Sequence, residues 1–132
     1  MLAVGLVLTG LTTGCGSQGA RNTIKLGGNL EMTGESASYG ISSRNGIELA
    51  LKEQNEKGGV LDKKVELVVA DNKSEATEAT NAMQKLIPQD RVIGVIGPNL
   101  SSVVIASTAV SGAAKTADIS PCLLYTSPSP RD

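Results

Sequence analysis

The sequence predicts an α/β fold: an open, mostly parallel, doubly wound sheet with helices on both faces. Three observations lead there. Short apolar runs alternate with stretches of helical period in the order β-α-β-α-β-α-β, and strands separated by helices imply right-handed parallel crossovers. The runs end in turn residues followed by residues that favour a helix start. The core must also be aliphatic, because the chain has Phe 0, Trp 0 and Tyr 2 against Gly 15. That composition suits Val, Ile and Leu strands under Ala-rich helices.

Thr23 to Glu31, TIKLGGNLE, reads as the first strand, with Ile24, Leu26 and Leu30 apolar. Gly27 and Gly28 inside it mark close backbone approach. Met32 to Tyr39 is a polar loop rich in Gly and Ser. From Gly40 to Asn55 the period becomes helical, with Ile47, Ala50, Leu51 and Gln54 on one face and a Glu48–Lys52 pair at i, i+4. Gly58 and Gly59 follow, one of them available for a left-handed cap.

Val65 to Ala70, VELVVA, is the second strand. Asp71-Asn72-Lys73 forms a turn, Ser74 is placed to cap the next helix, and Glu75 and Glu78 fall in its first turn. Ala79, Ala82, Met83, Leu86 and Ile87 then recur at i, i+3, i+4, i+7 and i+8, the clearest amphipathic pattern in the chain. Pro88 stops it.

The chain is organised around the next stretch, Arg91 to Ser102, RVIGVIGPNLSS. Val92, Ile93, Val95 and Ile96 read as a strand buried on both faces. Gly97, Pro98, Asn99 and Leu100 make the turn, and Ser101 or Ser102 stands at the start of a third helix running to about Ala114. Ala106, Ala109, Val110 and Ala113 share one face of it. Ala117 to Ser120 begins a fourth strand. Strand, tight turn and helix place N–H groups and hydroxyls at the carboxyl edge of the sheet, where open α/β folds bind small ligands, often through an anionic group. At this level the two serines are either helix caps or ligand donors.

The 132 residues suffice for one domain, and the formal net charge of −1 offers no footprint for nucleic acid. With His 0, no His-based triad or His-ligated metal site can be built. No dinucleotide fingerprint or P-loop is present, and no cofactor is implied. Ser101 lacks the G-x-S-x-G elbow of a hydrolase nucleophile, so a binding protein is expected rather than an enzyme.

Residues 1–14 read as a signal segment: an apolar stretch from Leu2 to Leu11, shorter than the roughly 20 residues that span a membrane, followed by small residues. Thr12-Thr13-Gly14-Cys15 resembles a bacterial lipoprotein box, although Thr12 stands where Leu is usual and a positively charged start is missing. The resemblance implies a lipidated Cys15, a flexible spacer over residues 15–22, and an extracytoplasmic, membrane-anchored protein at the cell surface or in the periplasm. Residues 122–132, CLLYTSPSPRD, have no periodicity. They resemble one reading frame of a transposase sequencing adapter residue for residue, so Cys122 and Tyr125 are expected to carry no function. The native chain is expected to continue beyond Pro121.

Residues 23–121 resemble the first lobe of a solute-binding protein. The residues that carry this are Thr33-Gly34, Ala37-Ser38-Tyr39-Gly40, Asn45-Gly46, Ala50, Asn55, Lys57-Gly58-Gly59-Val60, Ala70-Asp71, Ala79 to Leu86 and Val95-Ile96-Gly97-Pro98. Together they are similar to the branched-chain amino-acid (leucine/isoleucine/valine) binding family of ABC importers, with the type I periplasmic-binding-protein fold. The resemblance implies a partial first lobe, an amino acid or similar small molecule as ligand, and an ABC permease as membrane partner. It also implies ligand contacts at Tyr39, at Ser101 and at Ser102, where hydroxyl and N–H groups hold a carboxylate. Some members carry a disulfide where this chain has Ser74 and Leu100. The alternative of the same fold is a ligand-sensing domain of a regulator or receptor. A repressor would carry an N-terminal helix-turn-helix where the signal segment stands.

Lipidation at Cys15 is open to a direct test. Expressed behind a complete signal sequence and fed a clickable fatty acid, the chain is expected to take up label. Cys15→Ala is expected to take up none; equal labelling of the two refutes the assignment.

Overall fold

The computed structural model describes residues 23–122. The signal segment, Cys15, the spacer and residues 123–132 lie outside the described residues. Four strands and three helices alternate: β1 (Thr23–Leu30), α1 (Ala37–Glu56), β2 (Lys64–Asp71), α2 (Ala76–Leu86), β3 (Gly94–Ile96), α3 (Ser101–Ala113) and β4 (Ala117–Ile119). The sheet order is β2-β1-β3-β4 and every pairing is parallel. This is the doubly wound α/β sheet expected. α1 packs on β1 and β2, whereas α2 and α3 pack on each other across the opposite face.

The β1–β2 ladder is the longest, running in register from Thr23↔Lys64 to Leu30↔Asp71. Gly27 lies where α2 comes closest: a Cβ there would press on Val92, Val95 and Leu86. The core forms on that side. Met83, Leu86, Val92 and Val95 are buried together, with Val68, Ala70, Ile87 and Val110 against them. Ala79, Ala82, Met83 and Leu86 are the buried residues of α2, as its periodicity predicts.

Several local expectations are corrected. The third strand is shorter than the apolar run: it spans Gly94–Ile96, and Arg91, just before the run, has a left-handed φ of 58°. The Ile93 N–H still donates to Lys25 O at 2.9 Å. Nor is the run buried on both faces: Val92 and Val95 are covered, but Ile93 is 66% exposed. On that side Leu26, Ile93, Gly94, Val95, Ile96, Ala117 and Ile119 line an open groove of about 320 Å³. α1 packs mainly on β1 and β2 and leaves this half of the sheet largely unroofed.

α1 starts at Ala37, earlier than expected, and includes Tyr39. Its inward stripe is Gly40, Ser43, Ile47, Leu51 and Asn55, while Ala50 and Gln54 are exposed. Asn55 decides this register. Its side chain donates from Nδ2 to Val65 O and accepts from Val65 N–H, both at 2.8 Å, locking the helix to the edge strand. Glu48 pairs with Arg44 at 2.7 Å rather than with Lys52, which lies nearest Glu56. The helix ends as the glycines predict. Gly58 and Gly59 have φ of 102° and 81°, and their N–H groups donate to Asn55 O and Gln54 O in a Schellman arrangement.

In α3 the inward stripe is Val103, Ser107 and Ser111, and the expected Ala109 and Ala113 are exposed. Small hydroxyl residues fit a close helix–helix contact, and their polarity is answered locally. Ser107 Oγ donates to Val104 O at 3.2 Å, and Ser111 Oγ reaches Thr108 O at 3.0 Å and Asp118 Oδ2 at 2.5 Å. Met83, 0% exposed between helix and sheet, is the direct probe of this core. Met83→Ala is expected to cost about 2–5 kcal/mol in a denaturant titration. Leu49→Ala on the exposed face of α1 is expected to cost well under half of that.

Candidate functional site

β1 lies between β2 and β3, so the chain leaves β1 in one direction and returns past it in the other. The carboxyl ends of β1 and β3 therefore meet at the point where the winding reverses, the usual ligand crevice of open α/β sheets. The two ends approach closely because Gly97 follows β3 with φ 92°, and any Cβ there would collide with the backbone of Asn29. The Gly97–Pro98 peptide is cis. Gly40 does the same work on the other side. A Cβ on it would overlap the backbone of Glu31, so the first turn of α1 lies directly on the end of β1.

A cavity of about 140 Å³ opens here, lined by Tyr39, Asn99, Leu100, Ser101 and Cys122. Tyr39 stands on the first turn of α1 and is 57% exposed. Ser101 is the first residue of α3, with Leu100 at the N-cap position and no side-chain capping bond. The expectation that Ser101 or Ser102 caps this helix is therefore corrected: Leu100 holds that position, and its carbonyl accepts the Val103 and Val104 N–H groups at 3.1 and 2.9 Å. The N–H groups of Ser101 and Ser102 find no acceptor among the described residues. The structure thus brings Tyr39 and Ser101 to one cavity and leaves Ser102 exposed outside it. Free N–H groups at the start of a helix, with the positive end of its dipole, are donors for an anionic group.

Beneath the cavity lies a polar cluster that sequence reading missed. Glu31, Asn29, Asn72 and Asn99 are all buried. Glu31 accepts from Asn99 N–H at 2.9 Å, from Asn99 Nδ2 at 2.7 Å, and from Leu100 N–H and Asn72 Nδ2 at 3.4 Å each. Asn72 Nδ2 also donates to Asn29 Oδ1 at 3.2 Å, and Asn29 Nδ2 donates to Ala79 O at 3.0 Å. Ser43 Oγ on α1 donates to Asn99 Oδ1 at 3.0 Å. A usable signal was present: Asn29 and Glu31 stand at the carboxyl end of the first predicted strand, and Asn72 and Asn99 in the turns that follow the second and third.

A second acid holds the loop that leads to Tyr39. Asp71 Oδ1 accepts from the N–H groups of Met32, Thr33 and Lys73 at 3.0, 3.1 and 2.9 Å, and Oδ2 from Thr33 Oγ1 at 2.7 Å. Ser74, expected as the cap of α2, is drawn into the same tie. Its Oγ donates to Thr33 O at 3.1 Å and accepts from Ser36 N–H at 3.2 Å, and Glu75 takes the cap position. Burial pushes the Asp71 carboxyl up, but the bonds from Thr33 Oγ1 and from the Lys73, Thr33 and Met32 N–H groups outweigh it. The group is held below its ordinary 3.8. Among the described residues no group of three or more Cys, Asp or Glu side chains is arranged to hold a metal ion.

A family profile described as "Periplasmic binding protein" matches residues 23–131. The chain is 37% identical over 86 residues to the Leu/Ile/Val-binding protein BraC3 of Rhizobium johnstonii, across 65% of this chain and 23% of that protein. Two solved structures superpose closely. The branched-chain amino acid transporter substrate-binding protein LivJ of Streptococcus pneumoniae, in complex with isoleucine, gives a TM-score of 0.76 at 39% identity, over 78% of this chain and 30% of that one. The leucine-binding protein LivK of Thermotoga maritima gives 0.71 at 32%, over 77% and 28%. The chain spans about a quarter of the length of the curated relatives it matches, 23% for the Rhizobium protein.

The Asp71 tie makes a pH prediction. A carboxyl depressed by folding stabilises the fold above its unfolded value and loses that contribution as the pH falls through the folded value. The contribution is therefore intact above about pH 4 and declines only below the ordinary 3.8. Asp71→Asn is expected to melt lower than wild type at neutral pH, with the gap closing as the pH is lowered past that value. A gap that stays constant down to about pH 2 refutes it.

Proposed function

The chain belongs to the periplasmic binding protein family, and from that premise we propose that residues 23–121 are part of the first lobe of a solute-binding subunit of an ABC importer. The ligand is an amino acid, with a branched aliphatic one the best fit, delivered to a membrane permease. The protein works outside the cytoplasm, tethered through a lipid on Cys15, and residues 122–132 are not native to the lobe, so the wall that Cys122 gives the cavity belongs to another residue in the whole protein. Its role is binding and not catalysis.

The observation that carries this reading is the pair of N–H groups at the start of α3 that find no acceptor among the described residues: Ser101 lies across the cavity from Tyr39, and Ser102 stands exposed beside it. An α-carboxylate suits these donors: it is singly charged and accepts several hydrogen bonds, and Ser101 does not occupy the N-cap position, which Leu100 holds. The Tyr39 ring gives an aliphatic side chain an apolar wall. A cavity of about 140 Å³ is small beside the roughly 300–1,000 Å³ of pockets that enclose a ligand. One half of a site that a second lobe closes has that character, and closure would exclude water and strengthen each polar contact.

The test uses a chimaera in which residues 23–121 replace the matching segment of the Streptococcus pneumoniae relative. Ser101→Ala removes the hydroxyl and keeps the N–H groups and the helix dipole. Calorimetric titration with isoleucine is expected to show a partial loss, about 1–3 kcal/mol or roughly five- to 150-fold in affinity. The melting temperature should stay close to the parent's, because Leu100 and not Ser101 holds the N-cap position. Isoleucinamide, which lacks the carboxylate, should bind far more weakly than isoleucine to the parent chimaera. Equal binding of the two, or an unaffected Ser101→Ala variant, refutes the carboxylate site.

A further inference from the structure

Glu31 has no exposed surface, and no Lys or Arg among the described residues forms an ion pair with it. A buried carboxylate without a cationic partner is tolerable only if neutral donors surround it. Here they come from two other strand ends. Asn99 is gripped twice, through its N–H on Oε1 at 2.9 Å and its Nδ2 on Oε2 at 2.7 Å. That two-point hold fixes both the backbone and the side chain of one residue. Asn99 Oδ1 in turn receives Ser43 Oγ at 3.0 Å, so the helix that bears Tyr39 is tied to the same carboxylate as the turn that bears Ser101. Because Glu31 takes the Asn99 and Leu100 N–H groups, the first donors left facing outward are those of Ser101 and Ser102.

We propose that Glu31 is the positioning residue of the candidate site: its buried carboxylate anchors the turn between β3 and α3 and so selects which N–H groups face the cavity. The use made of those donors rests on the ligand-binding reading, but the anchoring is measurable without any ligand. Glu31→Gln keeps the size and removes one acceptor, setting its own NH2 against the NH2 of Asn99. Adding Asn99→Asp restores a donor–acceptor pair in the opposite sense, with the original net charge.

The 15N-labelled 132-residue chain is followed by amide hydrogen exchange in wild type, Glu31→Gln and the double variant, with the slowest amides of β1 and β2 as the internal reference. The opposed NH2 groups loosen the turn, so Glu31→Gln is expected to accelerate Asn99 and Leu100 by about tenfold or more relative to that reference. The Ser101 and Ser102 amide resonances should shift as well. The double variant should bring the relative exchange back to within about threefold of wild type and restore those resonances. Uniform acceleration across all strands marks a merely structural role and overturns the proposal, as does a selective effect that the double variant fails to reverse. If Glu31→Gln does not fold, the unmodified chain decides. Asn99 N–H exchanging as slowly as the strand amides supports the anchor, and exchange at the unprotected rate overturns it. Failure here leaves the ligand-binding reading to be judged by Ser101→Ala alone.

Discussion

A carboxylate taken wholly out of water must be met by hydrogen-bond donors or it destabilises the fold by several kcal/mol. Glu31 meets that demand with groups from the ends of β2 and β3, and through Asn99 it reaches Ser43 on α1. Much of the site geometry follows. Gly40 has to be a glycine because α1 starts against the Glu31 backbone, and Gly97 has to be one because β3 ends against Asn29. Asp71 repeats the device one strand away, gathering Met32, Thr33 and Lys73. The carboxyl edge of the sheet is thus held by two acids and a set of amides and hydroxyls, while aliphatic packing holds the layer beneath.

That division of labour suits a binding lobe. The aliphatic core of Met83, Leu86, Val92 and Val95 is one-sided, filling the space between the sheet and α2 with α3. The polar edge has defined directions, which apolar contacts do not have, so it can present donors at fixed positions. On the other face α1 covers β1 and β2 and leaves the groove of Leu26, Ile93, Ile96 and Ile119 open. The described residues are strong where the site needs a rigid floor and uncovered toward β4.

Periodicity was legible where one residue type did one job. Ala79, Ala82, Met83 and Leu86 announce α2 because every buried position on its inner face is apolar, so the helical period shows directly in the sequence. The same reading failed on α3, whose inward positions are Val103, Ser107 and Ser111. Apolarity ranks Ala109 and Ala113 above those serines, yet closeness to α2 favours any small residue whose hydroxyl can return to its own helix. On α1 the register was set by Asn55 gripping Val65, an interaction between elements that no local pattern reveals. Ser74 was misread for a similar reason: Thr33 and Ser36, far away in sequence, compete for its hydroxyl.

The amino-acid sequence by itself determined the alternation of strands and helices, the amphipathic face of α2, the glycine stop after α1 and the turn at Gly97-Pro98. Each is a short-range consequence of side-chain shape and backbone freedom. It also marked Tyr39 and Ser101 as candidates, through their place in the resemblance. Only the tertiary structure decided that these two share a cavity, that Ser102 lies outside it, and that Leu100 rather than a serine takes the cap position of α3. It alone showed Glu31 under the turn, because a charged residue at a strand end is ordinary until its burial is seen. The reason is physical: hydrogen-bond partners separated by 68 residues, such as Glu31 and Asn99, are chosen by where the chain brings them, and no local propensity encodes that choice.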